Sequence, residues 1–96
     1  MIDALETALL DDLAEVRMAV AWPLAWMRHE RTPIVLRRAY MIEHDEDVKT
    51  HILRVAASLS SVVGDELLQD ALKSKLGRVR AMAEQIMQDR TKLASV

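Results

Sequence analysis

Hydrophobic residues recur along most of this chain in steps of three and four. The first run is Ile2, Leu5, Leu9, Leu13, Val16, Val20, Leu24 and Met27, one face of a 3.6-residue helix turned toward a core. The second is Ile34, Met41, Val48, Ile52, Val55, Leu59 and Val62, with Arg38 and Asp45 occupying two stripe positions. The third carries Leu68, Leu72, Leu76, Val79, Met82, Ala83, Ile86 and Leu93 on one arc. Punctuation falls between the runs. Thr32-Pro33 has the chemistry of a helix start, and Gly64-Asp65 that of a C-cap followed by a new N-cap. The pattern predicts an all-α domain over residues 1–96, an antiparallel three-helix bundle with helices at about 2–30, 33–63 and 65–94.

Three places strain that picture. Pro23 lies inside the first helix and predicts a kink or break at Trp22. Glu43-His44-Asp45-Glu46-Asp47 is a poor helix interior and a good helix start, so the second helix either runs on with a distortion at 44–46, the preferred expectation, or ends and restarts near Asp45. Gly77 within the third helix suggests a close helix–helix crossing.

The first helix also has a second apolar face. Met18, Trp22 and Trp26 follow at i, i+4 and i+8, on the side of the helix away from the core stripe, where Asp11 and Glu15 precede them. A helix that buries one face and is apolar on another has a surface left for a partner, and tryptophan is enriched at the centres of interfaces. If Pro23 turns the chain, the rings instead cap the bundle's own core. Arg38 and Asp45, on the second stripe, suit an ion pair across a subunit contact that fixes register.

Composition narrows the functions. The chain has 96 residues, no cysteine, no Phe, two Trp, two Gly and two Pro, so its core is aliphatic and its turns are few. Without thiolates there is neither a disulfide framework nor a cysteine metal site. A net charge of −2 argues against nucleic acid, although Arg28, Arg31, Arg37 and Arg38 cluster near the second helix start. The longest apolar run, Met18 to Met27, is half of what a bilayer span needs, and the acidic N-terminal stretch does not look like a signal peptide, so a cytoplasmic protein without membrane contact is expected.

Three segments resemble parts of known families. His29-Glu30-Arg31-Thr32-Pro33 resembles the H-box of sensor kinases, one residue short, and His51-Ile52-Leu53-Arg54 resembles the His-x-Leu-Lys-Gly of histidine phosphotransfer domains, with Val55 at the glycine position. These resemblances imply phospho-acceptor roles for His29 or His51. Glu43-x-x-Glu46 with Glu66 and Asp70 resembles the paired acidic helices of all-α nucleotide pyrophosphatases, which implies Mg²⁺ ligation by those four carboxylates. His44, Asp47 and His51 share a helix side, but the two histidines stand about 10.5 Å apart along the axis, too far to share one ion.

No nucleophile motif, phosphate loop or convergent acid–base pair is evident, and no cofactor is implied. The expectation is a small non-enzymatic helical interaction protein, homodimeric or docked on another protein as adaptor, chaperone or inhibitor through Met18, Trp22 and Trp26. The phosphotransfer and Mg²⁺-dependent readings stand as alternatives. Dimerisation through the tryptophan face would complete a larger bundle.

Overall fold

In a computed structural model describing residues 2–59 and 61–94, all regular structure among the described residues is helical. The three expected helices are each divided in two: α1 (Ile2–Ala8), α2 (Ala14–Trp26), α3 (Thr32–Ile42), α4 (Glu46–Ser58), α5 (Val62–Leu72) and α6 (Gly77–Ala94). Six shorter helices stand among the described residues in place of the three expected, and local polar hydrogen bonds accompany each division.

The first division lies at residues 9–13. Asp11 accepts a hydrogen bond from the Leu13 amide at 2.9 Å, and such local bonds offer the backbone an alternative to the helix. The second falls at 43–45, so the helix expected to continue through this segment ends instead. Asp45 becomes the N-cap of α4, its carboxylate accepting from the Asp47 and Val48 amides at 2.9 and 3.1 Å. The third falls at 73–76, where the Ser74 hydroxyl accepts from the Leu76 amide at 3.1 Å.

Division resets the phase of each apolar stripe. Ile34 and Met41, in line with Val48 on an unbroken helix, stand on the outside of α3 at 55% and 59% exposure. Val35, Leu36, Ala39 and Tyr40 are buried in their place. Leu13, outside the helices, is likewise exposed. Arg38 and Asp45 consequently leave the core face expected for them. Arg38 reaches Glu6 of α1 at 3.3 Å, and Asp45 is occupied as a cap.

Pro23 breaks nothing. Helix α2 runs unbroken from Ala14 through Trp26 and ends just beyond, where Arg28 takes a left-handed conformation (φ 52°) with its amide donating to the Ala25 carbonyl. Thr32 does not cap α3. It is the helix's first residue, and its buried hydroxyl donates to the Leu24 carbonyl of α2 at 3.3 Å.

Helix α4 is the centre of the fold. It packs against α2, α3, α5 and α6 and buries Val48, Ile52, Leu53, Val55, Ala56 and Ala57. Arg17 of α2 meets Glu43 just before α4, and Trp22 meets His51 further on, so α2 and α4 run in the same direction. Arg78 pairs with Asp47 and Arg90 with the Ala57 carbonyl, so α6 also runs parallel to α4. The short connection at 43–45 folds α3 back along α4, bringing Tyr40 beside Lys49.

Gly64 lets α5 approach α4. It lies in the first turn of α5, and its amide donates to the hydroxyl of the N-cap Ser61 at 3.0 Å. A Cβ built there would stand 2.5 Å from the Ala56 carbonyl oxygen, a backbone atom that cannot swing aside. Gly77, expected at a crossing, is the first residue of α6 and has open space around it.

One partly buried ion pair joins two of the chain breaks. Arg17 and Glu43 meet in a two-pronged contact, Nε to Oε2 at 2.8 Å and Nη2 to Oε1 at 3.1 Å, with side chains only 16% and 6% exposed. Arg17 Nη1 also donates to the Asp11 and Asp12 carbonyls at 2.6 and 3.1 Å. Glu43 Oε1 in turn accepts from the His44 and Asp45 amides at 3.2 and 3.1 Å. Glu43 is the chief cause of a guanidinium pKa raised above its ordinary value, so Arg17 is charged at every accessible pH.

Two substitution pairs test this account by thermal and urea denaturation. Gly64→Ala should destabilise by about 1–3 kcal/mol through overpacking, while Gly77→Ala, in open space with an ordinary backbone, should stabilise by about 0.4–1 kcal/mol. Arg17→Met should strand the Glu43 carboxylate and lower the midpoint clearly. Arg38→Met, at an exposed pair, should change stability by less than about 1 kcal/mol. Equal effects from the two arginines would contradict the central role given to Arg17.

Candidate functional site

The second face of α2 keeps its apolar character in the fold. Trp22 is half-buried against the core, while Trp26 one turn later is 72% exposed, the largest side chain left so open. Their rings stack with centroids 6.4 Å apart and planes 26° from parallel. The stack extends toward α4, because Trp22 meets the His51 ring edge-on at 6.5 Å and 80°. The tryptophans therefore neither collapse together into the core nor stand apart from it. Trp22 is the root of the ridge and Trp26 its exposed tip.

His51 connects the ridge to a groove. Helices α2 and α6 flank α4 on the same side, and between them lies an open groove of about 590 Å³. Met18 forms one wall, Met82, Ala81, Gln85 and Arg78 the other, and Asp47, Thr50, His51 and Arg54 of α4 form the floor. The floor residues recur at i, i+3, i+4 and i+7, which is why they share one face of α4 while its remaining sides are buried by α3 and α5.

The charges in the groove are unevenly satisfied. Arg78 and Asp47 pair across it. Arg54 places Nη2 3.9 Å from the Met82 sulfur, a soft contact rather than an ion pair, and no carboxylate among the described residues lies within salt-bridge distance of it. The His51 pKa is lowered below its ordinary value, first by burial and then by the charge of Arg54, against the opposing effect of a hydrogen bond to the Met18 backbone.

The remaining candidate residues fall elsewhere. Of the carboxylates proposed for Mg²⁺, Glu43 is held by Arg17, and Glu66 lies 4.0 Å from Arg37. Glu46 opens α4 and Asp70 is exposed on α5. Among the described residues no three histidines and carboxylates come together as a metal site, the His44–Asp47–His51 set included. His29 accepts a hydrogen bond at Nδ1 from the Arg31 amide at 3.0 Å, so it shapes the turn before α3. Arg31 bridges to Asp3 and Glu6 of α1 at 3.5 and 3.0 Å, which spends part of the arginine cluster inside the chain. No helix among the described residues is long and apolar enough to cross a membrane.

Tyr40 belongs to none of the apolar stripes read from the sequence, yet it is the largest fully buried side chain among the described residues. Burial, aided by Asp70, pushes its phenol up to about 12, and the Lys49 ammonium lies 4.5 Å from its ring centroid. Its position was hidden because the stripe beside it changes phase at residue 43.

The chain matches no protein-family model, no curated protein and no solved structure.

The lowered His51 pKa makes stability depend on pH. Between the folded value and the ordinary 6.5, the unfolded chain binds the proton and the folded chain does not. Stability from this residue is therefore complete above about pH 7.5 and is lost as pH falls through 6.5 toward the folded value. Urea denaturation of wild type and His51→Gln from pH 8 to 5 should show their difference shifting against the wild type across that window. A pH-independent difference would mean that the groove leaves His51 as it is in water.

Proposed function

We propose that this protein is a non-enzymatic helical interaction module that docks on another protein through the α2 face of Met18, Trp22 and Trp26. The observation that carries the reading is the exposure of Trp26 on a stacked pair whose other ring is anchored in the fold. A tryptophan with 72% of its surface in water gives little to the stability of its own chain. Held by a partly buried neighbour, it offers a partner large contact area at little further cost in side-chain entropy. The groove beside it continues the surface, so the contact region is a ridge with an adjoining cleft rather than an isolated ring.

A phosphotransfer role for His51 draws less support from the geometry. Its ring packs edge-on against Trp22 and one of its hydrogen bonds is taken by the Met18 backbone, which leaves less of the imidazole open to a phosphoryl donor. Arg38 and Asp45, expected at a subunit contact, are both engaged within the chain, which shifts weight from self-association to a different partner.

The test is absolute mass by light scattering, with thermal unfolding, for wild type and Trp26→Ala. A docking tryptophan predicts a wild-type monomer of 10.9 kDa and a folded variant whose midpoint moves by no more than about 4 °C. By contrast, Leu24→Ala in the fully buried core should cost about 2–5 kcal/mol. A wild-type dimer that dissociates in Trp26→Ala would make a second copy the occupant of the face. An unfolded Trp26→Ala variant would make the ring structural and remove the reading.

A further inference from the structure

We infer that the groove between α2 and α6 is a seat for an acidic amphipathic helix of a partner protein, with Arg54 as the cation that recognises it. The inference rests on the docking role given to the tryptophan ridge and specifies the partner's chemistry.

The shape comes from the helix order. Helices α2, α4 and α6 run in one direction, and α4 packs against both of the others. All three line the open groove, and its floor runs from Asp47 to Arg54, two turns of α4. That length is about 10.5 Å at 1.5 Å per residue, and the tryptophan ridge extends it by a further turn or more. A helix of about three turns fills such a trough, the arrangement in which an apolar stripe lies against a groove.

The chemistry comes from the lining. Met18 and Met82 face each other from the two walls as flexible apolar surfaces, and Trp22 with Trp26 continues the Met18 side. These residues call for an apolar stripe on the occupant. The floor calls for a carboxylate. Around it stand Arg54, Arg78, His51 and the single acid Asp47, and Arg78 and Asp47 already answer each other. Arg54 is left against a thioether with no carboxylate among the described residues. An aspartate or glutamate brought alongside the exposed Arg54 would make the charge-assisted contact that the chain itself does not supply, and the docked helix would itself exclude water from it. A basic helix would meet Arg54 and Arg78 as like charges, and an uncharged one would cover Arg54 without replacing its hydration.

A stapled 16-residue helical peptide with leucines at i, i+3, i+4 and i+7 and glutamates flanking them serves as the probe. Its counterpart carries lysine at every glutamate position. Each is titrated into the ¹⁵N-labelled full chain, wild type and Arg54→Glu, at low and at moderate salt. The expected result is saturable shifts confined to amides of the groove, such as Met18, His51, Arg54 and Met82, produced by the glutamate peptide. Arg54→Glu should weaken that binding about tenfold or more, equivalent to 1.4 kcal/mol, and should improve binding of the lysine peptide. Equal or tighter binding of the lysine peptide to wild type would overturn the acidic assignment while leaving the ridge as a docking surface. Binding of neither peptide, or shifts centred on another face, would overturn the groove as a helix seat. The ridge is judged separately, by the mass and folding of Trp26→Ala. Dimerisation of the free chain with the same groove amides shifted by dilution would assign the groove to a second copy and overturn the proposal.

Discussion

Arg17 and Glu43 hold together the two places where this chain stops being helical. Each guanidinium edge is used: one faces the Glu43 carboxylate, and the other takes the Asp11 and Asp12 carbonyls left unpaired where the chain breaks before α2. Glu43 spends its remaining capacity on the His44 and Asp45 amides at the break before α4. The pair thus satisfies backbone groups on both sides, which is what a buried ion pair needs if its desolvation is to be offset. It also fixes the start of α2 beside the start of α4. From that register follow the meeting of Trp22 with His51 and the position of Met18 above the α4 floor.

The second constraint is the closeness of α4 to its neighbours. With no Phe and only one buried aromatic ring, the core is filled by aliphatic side chains and by short distances between helices. Gly64 against the Ala56 carbonyl brings α5 in, and the buried Val79 and Ala83 bring in α6. Short helices suit this arrangement better than long ones. Four of them pack around α4, whereas three long helices would enclose a thin core along their whole length.

The fold class was legible because helical periodicity and scarcity of Gly and Pro act locally. The divisions were only partly legible. Asp45 carried its N-cap chemistry openly, but a few tenths of a kcal/mol per residue does not decide between a distorted helix and a restart. What decided it was Glu43 meeting Arg17 from 26 residues away, and no local pattern reports such a contact. Once the phase changed at 43, Ile34, Arg38 and Met41 turned outward, and Tyr40 turned inward. Pro23 erred in the other direction: close to the end of α2, it removes one amide from the ladder and the helix absorbs the loss. The tryptophan ridge was legible as a pattern, because i, i+4 spacing brings rings together on any helix. The groove beside it was not, since its three sides come from segments whose proximity depends on the Arg17–Glu43 register.

That dependence links stability to recognition. The α4 face that floors the groove is polar: Asp47, Thr50, His51 and Arg54. A fully apolar floor would be an exposed patch with a strong tendency to self-associate. A fully polar one would offer little binding energy. Polar residues below and Met and Trp above divide the two tasks, keeping the free groove hydrated while leaving apolar walls for a partner to cover. Arg54 is the point at which the division bears on specificity. Its guanidinium lies beside the Met82 sulfur with no carboxylate near it, so under the proposed reading an occupant with a carboxylate gains there, whereas one with an ammonium group meets a like charge.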